Sequence, residues 1–227
     1  MCYDKGNFTK GKNRQMLGRT HFFIGTAAAL AVLQPQTVPA LVAGAGAAAI
    51  GGLISDIDVG TSQAHRDADK IITATVAVAV LTILAEYKLN LGIYRRLTSD
   101  SSVLRLLTGT AAFLLICAYG KQQPHRSFMH SFAALALLTA CVDIIYPDVS
   151  AYFAVGFLSH LVLDFFNRKP EKLFWPWKKG FCLGLCSARG LVNRALLGCG
   201  MVSLAVVLVL SAPAGRLMAK IMRAIYG

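Results

Sequence analysis

Seven runs of Ala, Leu, Val, Ile, Phe and Gly punctuate this chain, at 22–33, 38–54, 71–85, 106–119, 132–145, 151–166 and 196–210. Within each run the apolar residues lie side by side instead of at the i, i+3, i+4 spacing of a helix with one wet face. A helix built from such a run is apolar all round and suits hydrocarbon. In hydrocarbon every backbone N–H and C=O must be satisfied inside the segment, which for runs of this length leaves the α-helix. The fold expected is all-α: a polytopic helical membrane protein with about six to seven apolar helices forming one bundle. Several runs fall short of the ~20 residues of a straight crossing, so they must tilt, extend into their flanks or be partly embedded. Composition agrees, since 56% hydrophobic and 15% charged residues with a mean hydropathy of +0.56 are far from an ordinary soluble domain.

The polar segments divide the chain further. Residues 1–20 form a basic N-terminal segment, with no small-residue cleavage site after the first apolar run, so they read as retained and not as a signal peptide. Residues 21–178 form the main membrane domain, and 179–227 a C-terminal linker, apolar helix and basic tail. The net charge of +12 falls mostly between the apolar runs, without a dense basic tract interleaved with aromatics, so anionic lipid accounts for it and no nucleic-acid partner is expected. If each run crosses once, the N-terminus and the segments 55–70, 120–131 and 167–195 share one side, holding 5, 2, 2 and 7 of the 23 Lys and Arg. The positive-inside rule makes that side of the multi-pass chain cytoplasmic. Trp175-Pro176-Trp177 reads as an interfacial anchor, and the six cysteines as free thiols, with Cys182 and Cys186 a weak metal signal at four-residue spacing.

Polar, titratable residues gather on the same side. His125 and His130 lie in Pro124–Ser131, at the mouth of an apolar run that has no need of them. His160 and Asp164, four apart, share one helix face, and an aspartate inside an apolar run costs ~2.5–3.5 kcal/mol and is kept mainly for function. His21 opens the first run, and Asp56 and Asp58 close the second, where capping would be the ordinary role of either. His65 reads as a solvated loop residue. Together His21, Asp56, Asp58, His125, His130, His160 and Asp164 make a hard-to-borderline N/O ligand set large enough for two or more divalent ions. Ser131 and Ser159 adjoin histidines but lack a nucleophile-elbow context.

The ordered combination Thr20-His21, Ser55-Asp56-Ile57-Asp58, His125-Arg126-Ser127-Phe128-Met129-His130-Ser131, Gly156 to Asp164 with its HxxxD pair, and Trp175-Pro176 resembles the YdjM-type family, over about residues 16–178. That family is described as LexA-regulated, membrane-bound, metal-dependent hydrolases, distantly similar to zinc phospholipase C and the zinc nucleases. The resemblance implies that the seven His and Asp residues ligate or adjoin a divalent metal, expected to be zinc. Met129 stands where members often have Thr, and the N-terminal Trp and second HxxxE helix of the phospholipases are not seen. On this reading Asp56 or Asp58 takes a proton from metal-bound water and Arg126 clamps a phosphate, with membrane lipid, a phospholipid headgroup, as the substrate class. The alternatives are a membrane transporter or metal-ion carrier using the same residues, or a structural membrane protein tied together by metal.

Overall fold

In a computed structural model, residues 18–58, 101–185 and 191–226 are described; the apolar run 71–85 and His65, Cys2 and Cys186 lie outside them. Among the described residues there is no β-strand. Helix α1 spans Gly18–Leu33, α2 Val38–Ile54, α3 Ser101–Lys121, α4 Phe132–Ile145, α5 Pro147–Phe165, α6 Leu191–Leu210 and α7 Ala212–Tyr226. Two 3-10 turns, Ser55–Asp58 and Phe128–His130, follow α2 and precede α4. Four stretches are long and apolar enough to cross a membrane, Val38–Asp58, Ser102–Lys121, Pro147–Phe165 and Val192–Leu210, while α1 and α4 are apolar but shorter.

Local chemistry sets the boundaries. After α1 the chain turns at Gln34, whose φ of 43° lies in the left-handed region, and Pro35 cannot continue a helix. Thr37 then caps α2, its hydroxyl accepting from the Ala40 N–H at 3.2 Å, with Pro39 in the first turn, where its missing N–H costs nothing. Ser131 caps α4 in the same way, accepting from Ala134 N–H at 3.2 Å, and Pro147 opens α5 directly after α4.

The bundle is built on a seam between α2 and α5. Gly51 faces the Phe153 backbone, Gly156 faces the Ala48 carbonyl, and Gly44 lies under the Tyr152 ring. A Cβ at Gly156 would sit 2.9 Å from Ala48 Cα, so only glycine lets the two backbones approach this closely. Such small-residue seams hold helices together where lipid removes the hydrophobic drive for association. Phe153, Phe157, Leu161, Leu138, Met129 and Ile57 fill the core around the seam. Helix α1 packs on both α2 and α5, α4 bridges α5 and α3, and α6 lies along α1. Thr20 in α1 donates to Asn193 Oδ1 in α6 at 3.0 Å, a buried bond joining residues 173 apart. Val42, Ile50, Leu115, Val202 and Val209 point outward, as lipid-facing residues do.

The antiparallel order brings one set of ends together. The start of α1, the end of α2, the approach to α4 and the end of α5 meet at one end of the bundle, and the turns at 34–37, 146–147 and 211 lie at the other. Past α5, residues 166–185 fold back over the meeting point: Glu171 and Phe181 exchange both backbone hydrogen bonds at 2.9 Å, and Lys172 N–H donates to the Arg126 carbonyl at 3.0 Å. Trp175 serves this cover, with its ring edge-on to Phe128 at 5.1 Å and Tyr119 at 6.3 Å. Trp177, 70% exposed, is the one of the pair with the free surface of an interfacial anchor.

Candidate metal centre

Four elements each contribute to one buried cluster. His21 comes from the first turn of α1 and Asp56 and Asp58 from the 3-10 turn after α2. His125 and His130 come from the approach to α4, and His160 and Asp164 from the last two turns of α5. The rings of His21 and His160 stack at 3.9 Å, and His130 stands edge-on to His160 at 5.2 Å and to His125 at 4.9 Å. His21, His130 and His160 are buried, whereas the His125 side chain is 24% exposed and that of Asp56 17%.

A single hydrogen bond fixes the chemistry at the centre. His160 Nδ1 lies 2.8 Å from the Gly52 carbonyl; a carbonyl only accepts, so Nδ1 carries the proton and the lone pair of the neutral ring sits on Nε2. That Nε2 is 3.4 Å from His130 Nε2 and 3.9 Å from Asp56 Oδ1. His130 Nε2 is in turn 3.6 Å from Asp164 Oδ2 and 4.0 Å from Asp56 Oδ1, and His21 Nε2 is 3.6 Å from Asp164 Oδ1. Ligand atoms bound at 2.0–2.2 Å around one tetrahedral ion are roughly 3.3–3.6 Å apart, so these separations are close to the edges of a coordination polyhedron. Three overlapping groups can hold a metal ion, each with ligand atoms within 4.8 Å of one another: His21, His160 and Asp164; Asp56, His130 and His160; and Asp58, His125 and His130.

The remaining polar groups brace this set. Asp58 Oδ1 is 2.8 Å from His125 Nδ1, its Oδ2 accepts from Arg126 N–H at 3.2 Å and lies 3.4 Å from His130 Nδ1. Arg126 is buried, with φ of 63°, an unfavourable conformation for a residue with a Cβ. It is held by that N–H bond on one side and by the Lys172 N–H on its carbonyl on the other. Its guanidinium donates to Asp164 Oδ2 at 2.5 Å and to the Lys169 carbonyl.

Neither serine beside a histidine is placed as a nucleophile. Ser131 donates to the Phe128 carbonyl at 2.6 Å while capping α4, and Ser159 donates to the Gly156 carbonyl at 2.7 Å. Cys182 is near the Arg168 carbonyl, at 3.7 Å, and is in none of the three groups.

Glu171 is a functional-site neighbour that sequence reasoning missed. It is fully buried and neither carboxyl oxygen has a hydrogen-bond partner. Burial first, then the negative charge of Asp164, push its carboxyl up to about 9, with Arg126 opposing. Between Pro170 and Lys172 it reads as a surface ion, and the one available signal is that it is one of only two glutamates in the chain.

Fold and centre together define a class: an all-helical membrane protein whose buried histidines and aspartates can hold a metal ion at one end of its bundle. A family model described as YdjM inner membrane protein matches residues 16–224, and the chain belongs to that family. The match runs well past the 16–178 region carrying the motifs, into α6 and α7. No curated protein and no solved structure matches the chain.

Proposed function

We propose that this protein is a membrane-bound, metal-dependent hydrolase acting on a phosphoester, a lipid headgroup at the cytoplasmic face, with zinc as the metal. The observation that carries the metal is the facing of His160 Nε2 and His130 Nε2 at 3.4 Å, between Asp56 and Asp164. With the His160 lone pair fixed inward by Gly52, a cation best relieves this concentration of electron pairs in a buried site. His21, His130, His160, Asp56 and Asp164 would hold the ion, which when bound lowers the pKa of its water toward neutrality and polarises the scissile phosphoryl group.

The chain's own residues would do the rest. Asp56, the more exposed aspartate, would take the water's proton as the water oxygen bonds to phosphorus, and would hand it to the leaving-group oxygen as the phosphorus–oxygen bond to that group breaks. Asp58, engaged by His125 and Arg126, orients the 122–130 segment. Arg126 donates through its terminal nitrogens to Asp164 and the Lys169 carbonyl, so its part is to hold Asp164 and to add positive charge beside a bound phosphate. The carrier alternative is disfavoured because the ligands gather at one end of the bundle, with three of the histidines buried.

The test is elemental analysis of detergent-purified protein beside release of headgroup from a labelled phospholipid. Wild type should carry a divalent metal and hydrolyse the lipid, chelator should abolish turnover and added zinc restore it. His130→Ala with His160→Ala should lose both metal and turnover. Wild type that neither retains nor takes up metal refutes the centre; metal-loaded protein that turns over no phosphoester refutes the reaction.

A further inference from the structure

The C-terminal tail, read from the sequence only as basic, is a helix with two chemically distinct faces. Helix α7 follows the last crossing-length helix after a bend at Ser211. At 3.6 residues per turn, Arg216, Lys220 and Arg223 fall within about 60° of arc, with Met218, Ile221 and Met222 on the opposite side. There is no acidic residue in the helix. Met218 is 61%, Ile221 44% and Met222 48% exposed, and Arg216, Lys220 and Arg223 are exposed as well. The protein body does not cover this apolar face. Among the described elements, α6 is the one against which α7 makes substantial contact, and its first residue borders an open cavity of about 420 Å³ with Gln34, Pro35, Leu41 and Leu210.

We propose that α7 lies in the plane of the membrane surface at the end of the bundle opposite the His/Asp centre, with Met218, Ile221 and Met222 in the acyl boundary and its basic face on anionic phospholipid headgroups. Position and charge both select this occupant. Val206, Val209 and Leu210 at the end of α6 are exposed apolar residues, so α7 begins where the crossing helix leaves hydrocarbon. A bilayer interface satisfies both faces at once, whereas pairing the apolar faces of two copies would leave the uncompensated cations in water. Each basic residue near an anionic leaflet is worth roughly fivefold in partition, so the three together are worth on the order of a hundredfold.

The test uses the full chain in nanodiscs, after Cys2, Cys182, Cys186 and Cys199 are replaced by serine and the buried Cys117 and Cys141 are kept, with an environment-sensitive label at Met218→Cys or at Lys220→Cys. In discs containing phosphatidylglycerol, the label at 218 should be quenched by doxyl lipid and shielded from iodide, and the label at 220 the reverse. Pure phosphatidylcholine, or Arg216→Gln with Arg223→Gln, should cut lipid quenching at 218 several-fold. Equal iodide quenching at both positions places the helix in water and overturns the proposal. A label at 218 shielded from both quenchers places that face against protein, a second copy included, and also overturns it. Lipid quenching at 218 that is indifferent to anionic lipid overturns the headgroup assignment.

Discussion

Substituting Gly156 by alanine tests whether the α2–α5 seam holds the metal centre in shape. The new Cβ would point into the Ala48 carbonyl and lie 2.9 Å from Ala48 Cα and 2.8 Å from its carbonyl carbon. These are backbone atoms, which cannot rotate away, so α5 must move off α2 by roughly half an ångström to an ångström to restore ordinary contact. Overpacking of this kind costs about 1–3 kcal/mol, which at roughly 2–4 °C per kcal/mol for a chain of this size gives a fall in Tm of about 2–12 °C. The same movement stretches the 2.8 Å bond from His160 to the Gly52 carbonyl, one turn along the seam. Loss of such an orienting bond typically weakens metal binding 10–100-fold. Gly46→Ala is the control, since a Cβ there meets nothing within 4 Å and should be neutral or gain about 0.5–1 kcal/mol. Thermal unfolding in detergent and zinc titration against a competing chelator read the two effects. Equal Tm and zinc affinity for the two variants would refute the reasoning.

Two further outcomes follow from buried polar groups. Glu171 has a folded-state pKa of about 9 against an ordinary 4.5, so the folded protein keeps a proton that the unfolded chain gives up; stability should fall as pH rises from about 4.5 toward 9, then level off. Glu171→Gln should flatten that slope in thermal unfolding measured from pH 5 to 9, and an unchanged slope would refute the assignment. Thr20→Val leaves the buried Asn193 carbonyl oxygen without its donor, at a cost of about 1–3 kcal/mol, seen as a lower Tm and, where α6 loosens, faster proteolysis after Arg194; wild-type behaviour would mean the bond carries no weight.

What could be read from the sequence was what depends on local chemistry. Six of the apolar runs gave the described helices α1 to α6 directly, because a run of contiguous apolar residues in hydrocarbon has to satisfy its own backbone. Loop parity brought His21, Asp56, His130 and His160 to one end, because antiparallel helices of similar length leave few other arrangements. Division of labour among those residues was not legible. That Asp58 is bound by His125 and the Arg126 N–H, and that Arg126 is turned onto Asp164, depend on a left-handed backbone at Arg126 that its residue type does not announce. Glu171 was hidden for a similar reason: its burial comes from residues 166–185 folding back over the end of α5, a non-local event. In the tail, the spacing of Arg216, Lys220 and Arg223 was present all along, but set against longer apolar runs it read as charge alone.

The bond from His160 to the Gly52 carbonyl has a consequence for biogenesis. The inward ligand is oriented by the backbone of another helix, and the ligand set runs from His21 to Asp164, so the centre cannot exist on a partly inserted chain. A nascent chain lacking α5 has Asp56, Asp58 and His21 at the membrane face with no preorganised partner. On the proposed reading a metal would bind only after α2 and α5 have inserted and paired, so an occupied centre would report that the bundle has assembled in its correct order.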